Sequence, residues 1–336
     1  MHEITLLIFI LVNLPVLFFY KEITKKLSLY DYKDGTRKFQ KNPVPLTGGI
    51  LLIYNILVFT ILNFSMNPEQ NFYGNAFDTR EYFSFFVGLI MCFFLGVYDD
   101  KFNLTSMKKL LINLIIIFTI ILADENLVIT ELSFSFLDNS IELRNLSYFF
   151  SILCFLLLIN ALNMFDGINL QTATYCILIL SIFIYKDLYV ILSFVIILTL
   201  IIFLFYNSSN KSFLGDGGTQ ILGFIISYIL IKSHNKENAF NPEEIFILLA
   251  IPGLDMLRLF IFRMLNGKNP FTYDLNHMHH LISRKYNNKK AFLYLQMVII
   301  INLVFYYQVE NKIFALIFSL FLYVLLMVNF KEYIKK

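Results

Sequence analysis

The chain has 336 residues, of which 58% are hydrophobic and only 15% charged, against about a quarter charged in an ordinary soluble domain. That composition excludes a soluble globular enzyme and describes a polytopic membrane protein. A net charge of +3 is too small to draw in nucleic acid, and the basic residues sort by membrane side instead of forming one face, so no nucleic-acid partner is expected.

In chain order, apolar runs long enough for a bilayer core of about 30 Å begin near Ile4, Gly48, Tyr82, Lys109, Leu146, Gln171, Leu188, Gly218, Glu244, Ala291 and Lys312. They predict an all-α polytopic membrane protein of about 11 transmembrane helices, one membrane-embedded domain over residues 1–336. The first run, Ile4 to Tyr20, lacks a basic leader and a small-residue cleavage site and reads as a retained span. The break between the sixth and seventh runs rests on Lys186-Asp187. Cys92, Cys154 and Cys176 sit inside apolar runs and read as small buried hydrophobes.

Orientation follows from Lys and Arg, which remain on the cytoplasmic side. Lys21, Lys25, Lys26, Lys33, Arg37, Lys38 and Lys41 crowd the segment after the first run, and Arg263 to Lys290 carries six more. An odd number of spans then leaves the N-terminus outside and the C-terminus, with Lys331, Lys335 and Lys336, inside. The outer segment Leu127 to Arg144 alternates polar and apolar residues and predicts a short hairpin with Asp138-Asn139 at its turn.

Four polar islands interrupt the apolar pattern, all on the predicted inner side. In the first, GVYDDKFNLTSMKKL, a span ends in Asp99 and Asp100. Two carboxylates gain nothing from an anionic membrane surface and suit a cation or phosphate chemistry, the plain alternative being a solvated acidic loop. Lys108, Lys109 and Lys41 suit a lipid headgroup or serve as snorkelling anchors. In the second island Asn160, Asn163 and Asp166 recur every three residues on one helical face before Gly167 and Asn169, offering amides beside a carboxylate to a sugar or a hydrated metal; a polar helix C-cap is the alternative. The third, Gly215-Asp216-Gly217-Gly218, is a turn before a helix N-terminus, where backbone N–H groups approach an anion while the Asp holds a divalent cation. The fourth is the long segment containing Arg263, Asp274, His277, His279 and His280. No thiolate accompanies the imidazoles, so they suit pyrophosphate donors better than zinc ligands.

These islands, GVYDDKFNLTSMKKL, NALNMFDGIN, SFLGDGGTQILG and RMLNGKNPFTYDLNHMHHL, together with PLTGG and IPGLDMLR, resemble in order and spacing the motifs of the polyprenyl-phosphate N-acetylhexosamine-1-phosphate transferases across roughly Pro45 to Leu281. The His-Met-His-His pattern is similar to the WecA and TagO branch and less so to MraY. Two positions depart from that branch: Asn169-Leu170-Gln171 stands in place of Asp-Gly-Leu, and Leu275 in place of an Arg. The resemblance implies transfer of N-acetylhexosamine-1-phosphate from a UDP-N-acetylhexosamine to undecaprenyl phosphate in a bacterial inner membrane, with release of UMP and initiation of a cell-surface polysaccharide. It implies Mg²⁺ (or Mn²⁺) on Asp216, catalytic roles for Asp99, Asp100 and Asp166, and substrate contacts from Asn160, Asn163, Asn169, Arg263, His277, His279, His280, Lys108 and Lys109. A phosphate monoester with a second pKa of about 6 is already ionised at neutral pH, so Asp99 reads as orienting more than deprotonating. A homodimer is compatible with the sequence. The competing classes are a cation-coupled transporter, disfavoured because the islands lie at inner span ends and not at the midplane, and an inactive scaffold of the same fold.

Overall fold

The structure, a computed structural model, describes residues 2–32, 43–66, 79–272 and 274–334. Lys33, Arg37, Lys38, Lys41, Lys335 and Lys336, on which part of the orientation argument falls, lie outside the described residues. The helices are α1 (His2–Leu27), α2 (Gly48–Met66), α3 (Thr79–Phe102), α4 (Ser106–Ala123), α5 (Ser147–Phe165), α6 (Gln171–Tyr185), α7 (Val190–Asn207), α8 (Gly215–Glu237), α9 (Pro242–Leu265), α10 (Met278–Lys285), α11 (Asn288–Gln308) and α12 (Lys312–Phe330). Runs of Leu, Ile and Phe become helices because hydrocarbon offers the backbone no outside partner, so every N–H and C=O must be satisfied within the segment.

Each of the predicted apolar runs falls on one of these helices. Among the described residues seven helices are long and apolar enough to cross a membrane, namely Arg80–Phe102, Ser106–Ala123, Arg144–Phe165, Val190–Asn207, Pro242–Leu265, Asn288–Gln308 and Lys312–Tyr333, with shorter apolar helices at Gly48–Leu62 and Gln171–Tyr185. The chain is a multi-pass membrane protein. Large apolar side chains such as Phe94, Ile115, Phe149, Phe205 and Val328 stand exposed on these helices, a coating that would aggregate in water and suits lipid. The break at Lys186-Asp187 is real: α6 and α7 are separated by a turn in which Asp187 and Tyr189 take positive φ angles of 58° and 46°.

Two small antiparallel ribbons also occur among the described residues. β1 (Tyr30–Asp31) pairs with β2 (Val44–Pro45), Tyr30 facing Pro45. β3 (Glu131–Leu132) pairs with β4 (Ile141–Glu142) in the predicted hairpin, whose connection contains Asp138-Asn139. The fourth island begins with Arg263 in the last turn of α9 and ends in the eight-residue helix α10.

Packing divides the chain into two compact units, one comprising Met1–Thr105 and Ala173–Ile225, the other Ser106–Thr172 and Ile226–Lys336. In the first unit α2 packs on α7, α1 and α3. Asn13 of α1 and Asn55 of α2 donate to each other's side-chain oxygens at 2.8 and 3.0 Å, the kind of buried amide pairing that joins helices where no hydrophobic force separates them from lipid. In the second unit α5 packs on α4 and α9, α9 on α11 and α12, and α10 on α11 and α12.

Candidate active site

In the first unit the PLTGG segment is bound to the third island. The Phe213 N–H donates to the Pro45 carbonyl at 3.0 Å, and the N–H groups of Gly48 and Gly49 donate to the carbonyls of Phe213 and Leu214, each at 3.2 Å. The hydroxyls of Thr47 and Ser212 hydrogen-bond to each other, and Asn207 donates to the Ser212 carbonyl at 2.8 Å. This lattice fixes where α8 begins. A Cβ on Gly49 would come within 2.7 Å of the Gly218 nitrogen, and one on Gly96 of α3 would fall on the Asp216 carbonyl oxygen. The glycines of PLTGG and α3 therefore let three backbone segments converge on Asp216.

Asp100, at the end of α3, caps α8 from outside it. Its Oδ1 accepts from the Asp216 N–H at 2.8 Å and its Oδ2 from the Gly217 N–H at 3.0 Å, placing a negative charge at the positive end of the helix dipole. Gly215 has φ +74°, a conformation that disfavours side chains, and a Cβ there would also stand 2.8 Å from Asp100 Oδ2. Neighbouring Asp99, 7% exposed, holds the turn leaving α3: its Oδ1 accepts from the Leu104 N–H at 2.7 Å, and its carbonyl from the Asn103 N–H at 2.8 Å. Asp99, Asp100 and Asp216 are thus drawn to the junction of one helix end and one helix start. Among the described residues no group of three or more His, Cys, Asp or Glu is placed to hold a metal ion by itself. An open set of hard carboxylate oxygens is nonetheless what Mg²⁺ takes, since that ion keeps waters and uses one or two carboxylates with substrate phosphates.

The second unit holds the other predicted residues. Asp166 is the exposed C-cap of α5, and Asn160 donates to the Leu156 carbonyl one turn back at 2.7 Å. Asn163 and Asn169 are half-buried near that end, and Leu170 beside them takes φ 70°, the left-handed region. Lys108 is exposed and Lys109 buried in the first turn of α4. Against the end of α5 lies His279, 1% exposed: a Cβ on Gly167 would fall on its Nε2, with Cδ2 and Cε1 at 2.5 and 2.6 Å. Its ring is parallel to that of His277 at 5.6 Å between centroids and meets His280 at 4.2 Å and 60°. Burial, and then the neighbouring imidazoles, hold His279 well below the usual histidine range; burial, His277 and Arg284 push His280 down to about 4. Both rings are neutral at pH 7.

Arg263 is 3% exposed and braces the segment it opens. Nε and Nη2 each approach Asp274 Oδ2 at 2.9 Å, and Nη1 donates to the Pro270 carbonyl at 2.8 Å. Two residues outside the sequence-predicted set anchor the histidines: Asp255 and Arg258 of α9, joined at 2.8 Å and met by the Tyr323 hydroxyl of α12. The signal for them was an acid and a base three residues apart inside an apolar helix, legible as a pair but silent on what it holds.

The glycosyl transferase family 4 profile matches residues 82–234, a stretch drawn from both units. The undecaprenyl-phosphate alpha-N-acetylglucosaminyl 1-phosphate transferase of Escherichia coli (strain K12) is 27% identical over 291 residues, covering 82% of this chain and 75% of that protein. The protein of the same name from Yersinia pestis is 26% identical over 296 residues (84% and 77%). A probable undecaprenyl-phosphate N-acetylglucosaminyl 1-phosphate transferase of Bacillus subtilis (strain 168) is 28% identical over 282 residues (82% and 74%).

Proposed function

We propose that this chain, whose residues 82–234 match the glycosyl transferase family 4 profile, transfers N-acetylhexosamine-1-phosphate, with GlcNAc-1-phosphate the first candidate, from the UDP-sugar to undecaprenyl phosphate. An oxygen of the lipid phosphate attacks the sugar-bearing phosphorus of the UDP-sugar, the bond to the bridging oxygen breaks, and UMP leaves with that oxygen. The attacking phosphate is ionised at neutral pH, so the protein's task is positioning and charge neutralisation. The observation that carries the reading is likeness to such transferases over 82% of the chain.

The residues divide that task. The third island supplies Asp216 for Mg²⁺, which when bound would neutralise phosphate charge. Asp100 keeps the Asp216 turn in place through two backbone N–H groups, and Asp99 orients the lipid phosphate beside it. Asp166, Asn160, Asn163 and Asn169 at the end of α5 suit sugar and nucleotide oxygens, and His277, His279 and His280 the pyrophosphate. Arg263 serves that segment by shaping it through Asp274. Lys108 and Lys109 at the start of α4 suit the lipid headgroup.

The whole chain forms one transferase domain in this reading, supported by a family match that takes segments from both packing units. All islands face the cytoplasm, with the N-terminus outside, supported by Lys25 and Lys26 at the end of α1 and Lys331 after α12. The bacterial inner membrane is the location, and initiation of a surface polysaccharide the role.

The test is UMP release by the purified protein offered UDP-N-acetylhexosamines, undecaprenyl phosphate and Mg²⁺. Turnover is expected with at least one sugar and should be abolished in Asp216→Asn while the protein remains folded; turnover without undecaprenyl phosphate, or undiminished in Asp216→Asn, overturns the assignment. Single cysteines at Lys101 and Gly217 should be labelled from the same side of the membrane, and labelling from opposite sides refutes the topology.

A further inference from the structure

The carboxylate of Asp255 receives more hydrogen bonds than an ion pair requires, and their donors identify its task. Oδ1 accepts from Arg258 Nη2 at 2.8 Å and from the Tyr323 hydroxyl at 3.2 Å; Oδ2 lies 2.9 Å from His277 Nδ1; both oxygens are within 3.2 Å of the Met278 N–H. Met278 opens α10, whose N-cap His277 makes no side-chain capping bond of its own. The cap is supplied by Asp255 instead, from a helix more than twenty residues away in sequence. Arg258 also donates to the Asn276 carbonyl at 2.6 Å and to Tyr323 at 2.9 Å, fixing the chain immediately before the histidine.

We propose that Asp255 is the positioning residue of the histidine segment: it fixes the His277 tautomer and the start of α10, and thereby the ring atoms presented to the nucleotide sugar. A carboxylate accepts only, so the proton of that hydrogen bond resides on Nδ1 and the outward atom is Nε2, which makes no hydrogen bond among the described residues. With His277 and Met278 pinned, the first turn of α10 carries His279 into the place where its ring lies parallel to His277 and its Nε2 faces Gly167. Arg258, at 2.8 Å, keeps the carboxylate from rotating to serve other donors.

This inference rests on the transferase reading, and its test separates the two. Asp255→Asn keeps an acceptor of the same shape and removes the charge; Tyr323→Phe removes one peripheral donor and leaves the Asp255–His277 contact intact. In full-length protein with UDP-GlcNAc and undecaprenyl phosphate, Asp255→Asn should raise the KM for UDP-GlcNAc about ten- to a hundredfold, the size of loss found when a metal-binding histidine is deprived of the carboxylate that orients it. The KM for undecaprenyl phosphate and the Mg²⁺ dependence should stay as in the wild type, Asp255→Glu should restore part of the loss, and Tyr323→Phe should change little. Independently of turnover, ¹⁵N spectra of His277, assigned through His277→Gln, should show a protonated Nδ1 in the wild type and loss of that signal's position in Asp255→Asn. An unprotonated Nδ1 in the wild type, an unchanged His277 signal in Asp255→Asn, or equal losses for both substrates accompanied only by lowered thermal stability overturns the proposal. A wild type inactive toward every UDP-sugar would refute the transferase reading, and the His277 signal would then decide the positioning role by itself.

Discussion

The contact between Gly167 and His279 gives the sharpest forecast for the second unit. Substituting Gly167→Ala places a methyl carbon on His279 Nε2 and within 2.6 Å of two further ring atoms. The glycine's backbone is not itself left-handed, so the penalty is steric alone. Relief requires the imidazole to move, but the ring is 1% exposed and flanked by His277 at 5.6 Å and His280 at 4.2 Å, so either the rings or the end of α5 must shift. Overpacking of that kind costs about 1–3 kcal/mol. Thermal unfolding in detergent should register the loss, and UDP-sugar affinity should fall with it, because Asp166 and His279 are displaced together. The control is a double-mutant cycle. In a His279→Ala background the clash has no partner, so Gly167→Ala should there cost only a few tenths of a kcal/mol, leaving a coupling of about 1–3 kcal/mol between the sites. Additive effects, or a harmless Gly167→Ala in the wild type, would refute the arrangement.

Leu170 carries a left-handed φ of 70° that costs a residue with a side chain about 1–2 kcal/mol; Leu170→Gly should raise stability by about 1 kcal/mol after its own entropy loss, and a lower unfolding midpoint would contradict the strain. Asp100→Asn removes the charge and one of the two acceptors at the start of α8; charged hydrogen bonds are worth about 1.5–3 kcal/mol each, so stability should drop by roughly 2 kcal/mol along with turnover, and an unaltered midpoint would leave Asp100 without its capping role. For pH, His279 and His280 stay neutral in the folded protein, while the unfolded chain protonates them below about 6.5. Stability should therefore decline as pH falls from about 6.5 toward 4, by at most about 1.4 kcal/mol per pH unit per imidazole; His280→Gln should flatten the slope, and a slope identical to the wild type would place the proton uptake elsewhere.

The sequence by itself determined that the chain is a helical membrane protein, where its apolar runs lie, and which polar islands interrupt them. Those signals are local: a run of Leu, Ile and Phe has one stable form in hydrocarbon, and Asp99, Asp166 or Asp216 stands out because ionisable groups are costly there. The break at Lys186-Asp187 and the hairpin around Asp138-Asn139 were equally legible, since turn chemistry is written in neighbouring residues. Only the tertiary structure decided what each polar side chain holds. That Asp100 caps a helix beginning 115 residues later, at Gly215, depends on where α8 starts, which is fixed by PLTGG and invisible to any spacing rule. Arg263 looked like a substrate contact and is committed to Asp274, and Asp255, buried inside α9, anchors His277. The physical reason is common to these cases: periodicity reports which face of an element is apolar, whereas a hydrogen bond between distant segments exists only after packing has brought donor and acceptor within about 3 Å.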